Sequence, residues 1–135
     1  MKIDHIGIAV KSIDESLKFY KDTLGLELKG TEQLDERGLK VAFLKTGESD
    51  IELLESISMD SNIHKFIEKK GEGIHHIALE VDNVEEKKES MEKKDAKFIG
   101  EASMGAGGKK IVFIHPKSTN GVLMELCQHL EGENE

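Results

Sequence analysis

The chain repeats itself. Ile3-Asp4-His5-Ile6-Gly7-Ile8-Ala9-Val10 lies over Ile74-His75-His76-Ile77-Ala78-Leu79-Glu80-Val81 at an offset of 71, and the register continues from Lys11-Ser12-Ile13-Asp14-Glu15 into Asp82-Asn83-Val84-Glu85-Glu86. Further on, Gly38-Leu39-Lys40-Val41-Ala42-Phe43-Leu44 matches Gly108-Lys109-Lys110-Ile111-Val112-Phe113-Ile114, and Ile51-Glu52-Leu53-Leu54 matches Met124-Glu125-Leu126-Cys127 at an offset of 73. The small slips in offset fall in turns, where insertions cost little. Several matches in one order mark a duplicated module, so whatever one copy folds into, the other must fold into as well.

Each copy reads as a strand, a helix and three further strands. Residues 3–10 alternate β-branched and small side chains, which marks a strand. Ser12-Ile13-Asp14-Glu15 reads as a capping box, with the Ser12 hydroxyl on the Glu15 amide and the Glu15 carboxylate reaching back. Ile13, Leu17, Tyr20 and Leu24 then share one helical face, and Gly25 stops the helix. Strands are expected over 27–34, 39–45 and 50–57, followed by a linker helix within about 60–72. The second module spans about 73–129, with a strand at 74–81, a helix from Asn83 to about Lys94, and strands near 96–101, 110–115 and 122–129. The first module spans about 2–58, and Glu131–Glu135 reads as a frayed acidic tail.

Composition excludes several classes of function. With 27 Asp+Glu against 19 Lys+Arg, a net charge of −8 repels a nucleic-acid polyanion. No Trp, one Tyr and five Phe supply few platforms for stacking bases. No apolar run approaches the ~18 residues of a membrane span, and a lone Cys127 cannot form an internal disulfide. The expectation is a soluble, cytoplasmic protein built as a single domain over residues 1–135.

Four polar residues stand out. Side chains alternate faces along a strand, so Ile6, Ile8 and Val10 pack under the helix while His5 shares the other face with Gly7 and Ala9. The second copy does the same with His76 beside Ala78. Glu52 and Glu125 lie inside apolar runs, where a carboxylate is costly to desolvate unless paired or metal-bound. Taken singly, each histidine reads as a structural one and each glutamate as an edge residue facing water. Repetition of both at matching positions instead relates them by a pseudo-twofold axis, and two imidazoles with two carboxylates make a divalent-metal site. His64, His75 and His129 have no counterpart in the repeat and read as surface or supporting residues, whereas His115, ahead of Pro116, stays a candidate. Gly105-Ala106-Gly107-Gly108 is too short for a nucleotide fingerprint and reads as a bend that lets backbone approach a ligand. Cys127 reads as a packing residue.

The duplicated βαβββ module, with a metal ligand on each first and last strand, resembles the vicinal oxygen chelate superfamily over about residues 2–129. The stretches Asp4–Val10, Gly73–Ala78 and Gly107–Ser118 running into Gly121–Leu126 resemble its methylmalonyl-CoA epimerase branch. Glyoxalase I, which shares the ligand pattern, usually carries an Asp-Pro-x-Gly turn where this chain has His115-Pro116-Lys117-Ser118. The resemblance implies an α+β fold in which two tandem βαβββ modules form an open, cup-shaped, eight-stranded sheet around a metal. It implies one divalent metal per chain on His5, His76, Glu125 and Glu52, with cobalt the first choice and nickel, manganese or zinc alternatives. It also implies an acyl-CoA substrate, an isomerase activity and a homodimer.

The implied reaction interconverts the 2R and 2S forms of methylmalonyl-CoA through a metal-stabilised enolate. Epimerisation needs proton transfer on both faces of a planar intermediate, so two acid/base groups are expected. Some epimerases have a proposed glutamate base on the second or third strand of the first module; the matching position here is Val41, which cannot move a proton. Glu52 and Glu125 are then the candidate catalytic pair as well as ligands. Lys109, Lys110 and Lys117, with His115, are candidates for meeting the substrate, the lysines at its phosphates. A glyoxalase I-type lyase acting on a hemithioacetal and a metal-free small-ligand binder are the alternative readings.

Overall fold

Alternation of β-branched and small residues produces strand β1 (Ile3–Ala9). Helix α1 (Ile13–Leu17), then β2 (Glu27–Leu34), β3 (Leu39–Thr46) and β4 (Ser49–Ser56) complete the first copy. Helix α2 (Asn62–Lys70) links the copies. The second copy comprises β5 (Gly73–Glu80), α3 (Val84–Glu92), β6 (Phe98–Met104), β7 (Lys110–Ile114) and β8 (Met124–Gln128). The structure, a computed structural model, describes residues 1–130; the acidic tail read at Glu131–Glu135 lies outside the described residues.

The chain divides into two compact units, one of residues 5–75 and one joining residues 1–4 to the chain from His76 onward. In the first, β1 runs parallel to β4, and β4, β3 and β2 follow as antiparallel neighbours. In the second, β5 runs parallel to β8, and β8, β7 and β6 follow in the same way. Sequence duplication is thus duplication of topology, and the α+β class with two βαβββ modules and eight strands is what forms. No helix among the described residues is long and apolar enough to cross a membrane.

Each unit has its own apolar core on the helix side of its strands. Val10, Ile13, Ala42, Leu44 and Leu53 form one, with Ile8, Leu17 and Tyr20 packed against it. Val81, Val84, Val112, Ile114 and Leu126 form the other, with Leu79, Met91 and Phe98 around it. Each fully buried branched side chain contributes roughly 1.5–3 kcal/mol relative to exposure. These cores occupy one face of the strands, which leaves the opposite face for polar residues.

The first helix departs from the expected single run. After α1 the chain passes into a π-helical turn over Lys18–Thr23, where the Leu24 amide donates to the Phe19 carbonyl at 2.7 Å. The Thr23 hydroxyl donates to the Lys18 carbonyl at 3.0 Å, which accommodates the wider turn. The wider turn breaks the 3.6-residue spacing, so Leu24 is 52% exposed rather than on the Ile13 face. The capping box forms by half: Ser12 Oγ accepts from the Glu15 amide at 3.1 Å, but the Glu15 carboxylate turns outward to Lys18 Nζ. In its place a long-range cap appears, with the Ile13 amide donating to Glu55 Oε1 at 2.7 Å.

Candidate metal centre

Strand register builds the first half of the centre. Glu52 on β4 is flanked by Gly7 on β1 and Phe43 on β3. His5 lies two residues before Gly7, on the same face, and its Nδ1 is 3.3 Å from Glu52 Oε2. His5 is 3% exposed and Glu52 2%. The second unit repeats the arrangement: Glu125 on β8 is flanked by Ala78 on β5 and Phe113 on β7. His76 Nε2 lies 3.5 Å from Glu125 Oε2, with exposures of 6% and 4%. The Phe113 ring meets the His76 ring edge to face at 5.8 Å.

Both pairs are longer than a good N–H···O hydrogen bond, and both are buried, so as ion pairs alone they would stabilise the fold little against their desolvation. Imidazole nitrogen and carboxylate oxygen are, however, the donors a first-row divalent ion takes. Gly7, Ala9 and Ala78 leave space beside each pair because they carry almost no side chain. The donor chemistry of His5 with Glu52, and that of His76 with Glu125, therefore each suits a divalent metal.

The second unit carries a further buried polar cluster that the repeat does not announce. Asp4, 5% exposed, receives Lys109 Nζ on Oδ2 at 2.9 Å and His129 Nε2 on Oδ1 at 2.5 Å. His129 Nε2 also lies 3.3 Å from Glu80 Oε1. The Cys127 thiol is pushed well above its usual range by burial first, then by the Asp4 and Glu125 carboxylates, with Lys109 opposing them. Two signals in the sequence point to this cluster: a charge at Asp4 inside a β-branched strand, and His129 at even spacing from Cys127 and Glu125. Lys109, a candidate for the substrate phosphates from the sequence, is buried inside the unit with its ammonium on Asp4. In the bend before it, a Cβ on Gly105 would come within 2.8 Å of Ile111 Cδ1, so the bend approaches Ile111 of its own core.

The remaining candidates are dispersed. Lys110 pairs with Glu85 at 2.8 Å, and Lys117 is exposed. His115 caps the turn Pro116–Ser118, its Nδ1 accepting from the Lys117 amide at 3.0 Å. His64 sits 3.5 Å from Glu68 on the face of α2. His75 stacks edge to face on Phe66, and burial, with Lys70 nearby, lowers its imidazole to about 4. Cys127 packs with Ala78 and Ile111, as its packing reading requires. Val41 is fully buried, but its cross-strand partner on β2 is Glu32. A bulge between Leu28 and Gly30 shifts the parity of β2, which places Glu32 on the face that carries Glu52.

Residues 4–113 match the family model for the glyoxalase/bleomycin resistance protein/dioxygenase superfamily. The chain is 38% identical over 129 residues to the mitochondrial methylmalonyl-CoA epimerase of Homo sapiens, covering 94% of this chain and 73% of that protein. A Streptomyces coelicolor methylmalonyl-CoA epimerase, solved as a point variant in complex with 2-nitronate-propionyl-CoA, superposes with a TM-score of 0.92 at 37% identity, covering 97% of this chain and 96% of that one. The lactoylglutathione lyase of Haemophilus influenzae is 32% identical over 139 residues, covering 91% of this chain and 98% of that protein. On the family match, the duplicated topology and these likenesses, the chain belongs to the glyoxalase/bleomycin resistance protein/dioxygenase superfamily.

Proposed function

We propose that this protein is an isomerase that epimerises (2R)- and (2S)-methylmalonyl-CoA with one divalent metal per chain, held by His5, His76, Glu125 and Glu52. The observation that carries the reading is the recurrence of one buried His–Glu pair at the same register position in both modules, in a chain close to methylmalonyl-CoA epimerases along its whole described length. When bound, the ion supplies Lewis acidity toward the thioester and carboxylate oxygens of the substrate. The protein's share is to hold that centre dry and to move a proton. Glu52 and Glu125, counterparts under the duplication, are the groups assigned to take the α-proton from one face and return it to the other. Phe43 and Phe113 are the cross-strand neighbours of these two carboxylates and give each an apolar flank.

Cobalt is the first choice of metal, with nickel, manganese and zinc accepted by the same donors. Lys110, at the start of β7, and Lys117, in the exposed turn after it, are assigned to the CoA phosphates because an anionic substrate needs positive charge on a chain of net charge −8. A cytoplasmic location, in keeping with the lone Cys127, and a homodimer complete the proposal.

A lyase acting on a hemithioacetal is the second reading, favoured by the likeness to lactoylglutathione lyase. The turn His115-Pro116-Lys117-Ser118 argues against it. Paired assays decide between them: metal-loaded protein is offered methylmalonyl-CoA in deuterated buffer, and separately methylglyoxal with thiol. Deuterium uptake at the α-carbon with no consumption of hemithioacetal is the expected result, and the reverse pattern makes the protein a lyase. Activity in neither assay, with no metal retained, makes it a binding member of the superfamily.

A further inference from the structure

We infer that Asp4, clamped between Lys109 and His129, is a positioning residue for His5, and that this clamp sets how tightly the centre holds its metal. The inference rests on the proposed metal centre, in which His5 is a ligand.

Asp4 and His5 are joined by a peptide bond but belong to different units: residues 1–4 go with the second module and His5 with the first. Residues 2–4 are fastened to the second module. The Glu80 amide donates to the Lys2 carbonyl at 2.9 Å, Lys109 takes one oxygen of Asp4, and His129 takes the other. An ionised carboxylate only accepts hydrogen bonds, so the His129 tautomer must carry its proton on Nε2. Both Asp4 oxygens are thereby held in fixed directions, by side chains from just before β7 and just after β8. The backbone from which the His5 side chain leaves cannot shift without breaking charge-assisted bonds in a buried setting.

Lys109, Asp4 and His129 are not metal donors in the proposed centre, so their effect reaches the metal through His5. Groups that orient metal-ligating side chains typically alter metal affinity by about 10–100-fold when removed. Lys109→Met keeps the length and apolar stem of the side chain and removes the charge. It is expected to weaken Co(II) binding by about tenfold or more, with an altered visible spectrum of the cobalt complex, while Lys109→Arg restores both. His129→Ala, which removes a side chain one-third exposed, is expected to weaken binding severalfold and serves if Lys109→Met does not fold.

The decisive measurement is a double-mutant cycle on Co(II) affinity with His5→Ala. If the clamp acts through His5, Lys109→Met has no further effect once His5 is gone. The same fold loss in both backgrounds, or wild-type affinity in folded Lys109→Met or in His129→Ala, overturns the inference. Wild-type protein that binds no Co(II) overturns the metal centre itself, which is a separate result.

Discussion

Lys109 Nζ lies 2.9 Å from Asp4 Oδ2 across 105 residues of sequence, with both side chains less than a tenth exposed. Removing one partner of such a pair leaves an uncompensated buried charge and costs about 3–5 kcal/mol, whereas replacing both by apolar groups is often close to neutral. Asp4→Leu is therefore expected to lower the free energy of unfolding by about 3–5 kcal/mol. The double variant Asp4→Leu/Lys109→Met should recover most of that loss. Urea unfolding of the four proteins measures it, and a double variant less stable than Asp4→Leu alone would refute the account.

Protonation of His75 gives stability a pH dependence with a defined sign. Its imidazole is lowered from 6.5 to about 4, by burial first and the Lys70 ammonium second. Between those values the unfolded chain binds a proton that the folded chain refuses. The His75 contribution is therefore fully present above about pH 6.5 and is lost as pH falls toward about 4. His75→Gln should flatten this part of the profile of melting temperature against pH in metal-free protein. An unchanged slope between pH 4 and 6.5 would assign the dependence to other groups.

What the sequence revealed and what it hid divide along range. The repeat placed every strand within about three residues, because β-branched alternation and turn residues are local signals read twice. It also singled out His5, His76, Glu52 and Glu125, since an unusual residue recurring in two copies is harder to dismiss than one seen once. The π-turn after Leu17 was hidden because it depends on the Thr23 hydroxyl reaching back to Lys18, a choice that helical periodicity does not encode. The sequence marks Asp4 and His129 as unusual, but their joining with Lys109 stayed hidden because the members lie at opposite ends of the chain, and register across strands is set only once the sheet forms. Glu32 was hidden for a related reason: the bulge at Leu28/Gly30 flips its face, and simple alternation puts it on the other one.

Cys127 should behave as an inert thiol in the folded protein. It is fully buried, and burial with the nearby Asp4 and Glu125 carboxylates raises its pKa, so the reactive thiolate is scarce. Iodoacetamide at about pH 8, near the ordinary thiol pKa, is expected to leave native protein unmodified over the time in which urea-unfolded protein is fully alkylated. The slow labelling that remains should track global unfolding, and stabilising the fold should slow it further. Rapid alkylation under native conditions would mean that β8 opens locally.

Glu52 and Glu125 are tested by the substitutions Glu52→Gln and Glu125→Gln. Glutamine keeps an oxygen donor and nearly the same shape, but it cannot carry a proton between substrate and protein. Each variant is expected to retain its metal and to lose epimerisation by about 10²–10⁴-fold, the usual contribution of a positioned acid or base. His76→Ala, by contrast, removes a donor outright and should lower metal stoichiometry and activity together. Loss of one carboxylate leaves the other able to work on its own face, so each glutamine variant should still exchange the α-proton of one enantiomer with solvent deuterium. The two variants should choose opposite enantiomers, because the duplication makes the carboxylates counterparts. Mass spectrometry of each resolved enantiomer after incubation in deuterated buffer reads this directly. Should Glu52→Gln epimerise at the wild-type rate, Glu52 is a ligand and not a base. Glu32, cross-strand from Val41 and on the same face as Glu52, is then the carboxylate to replace next.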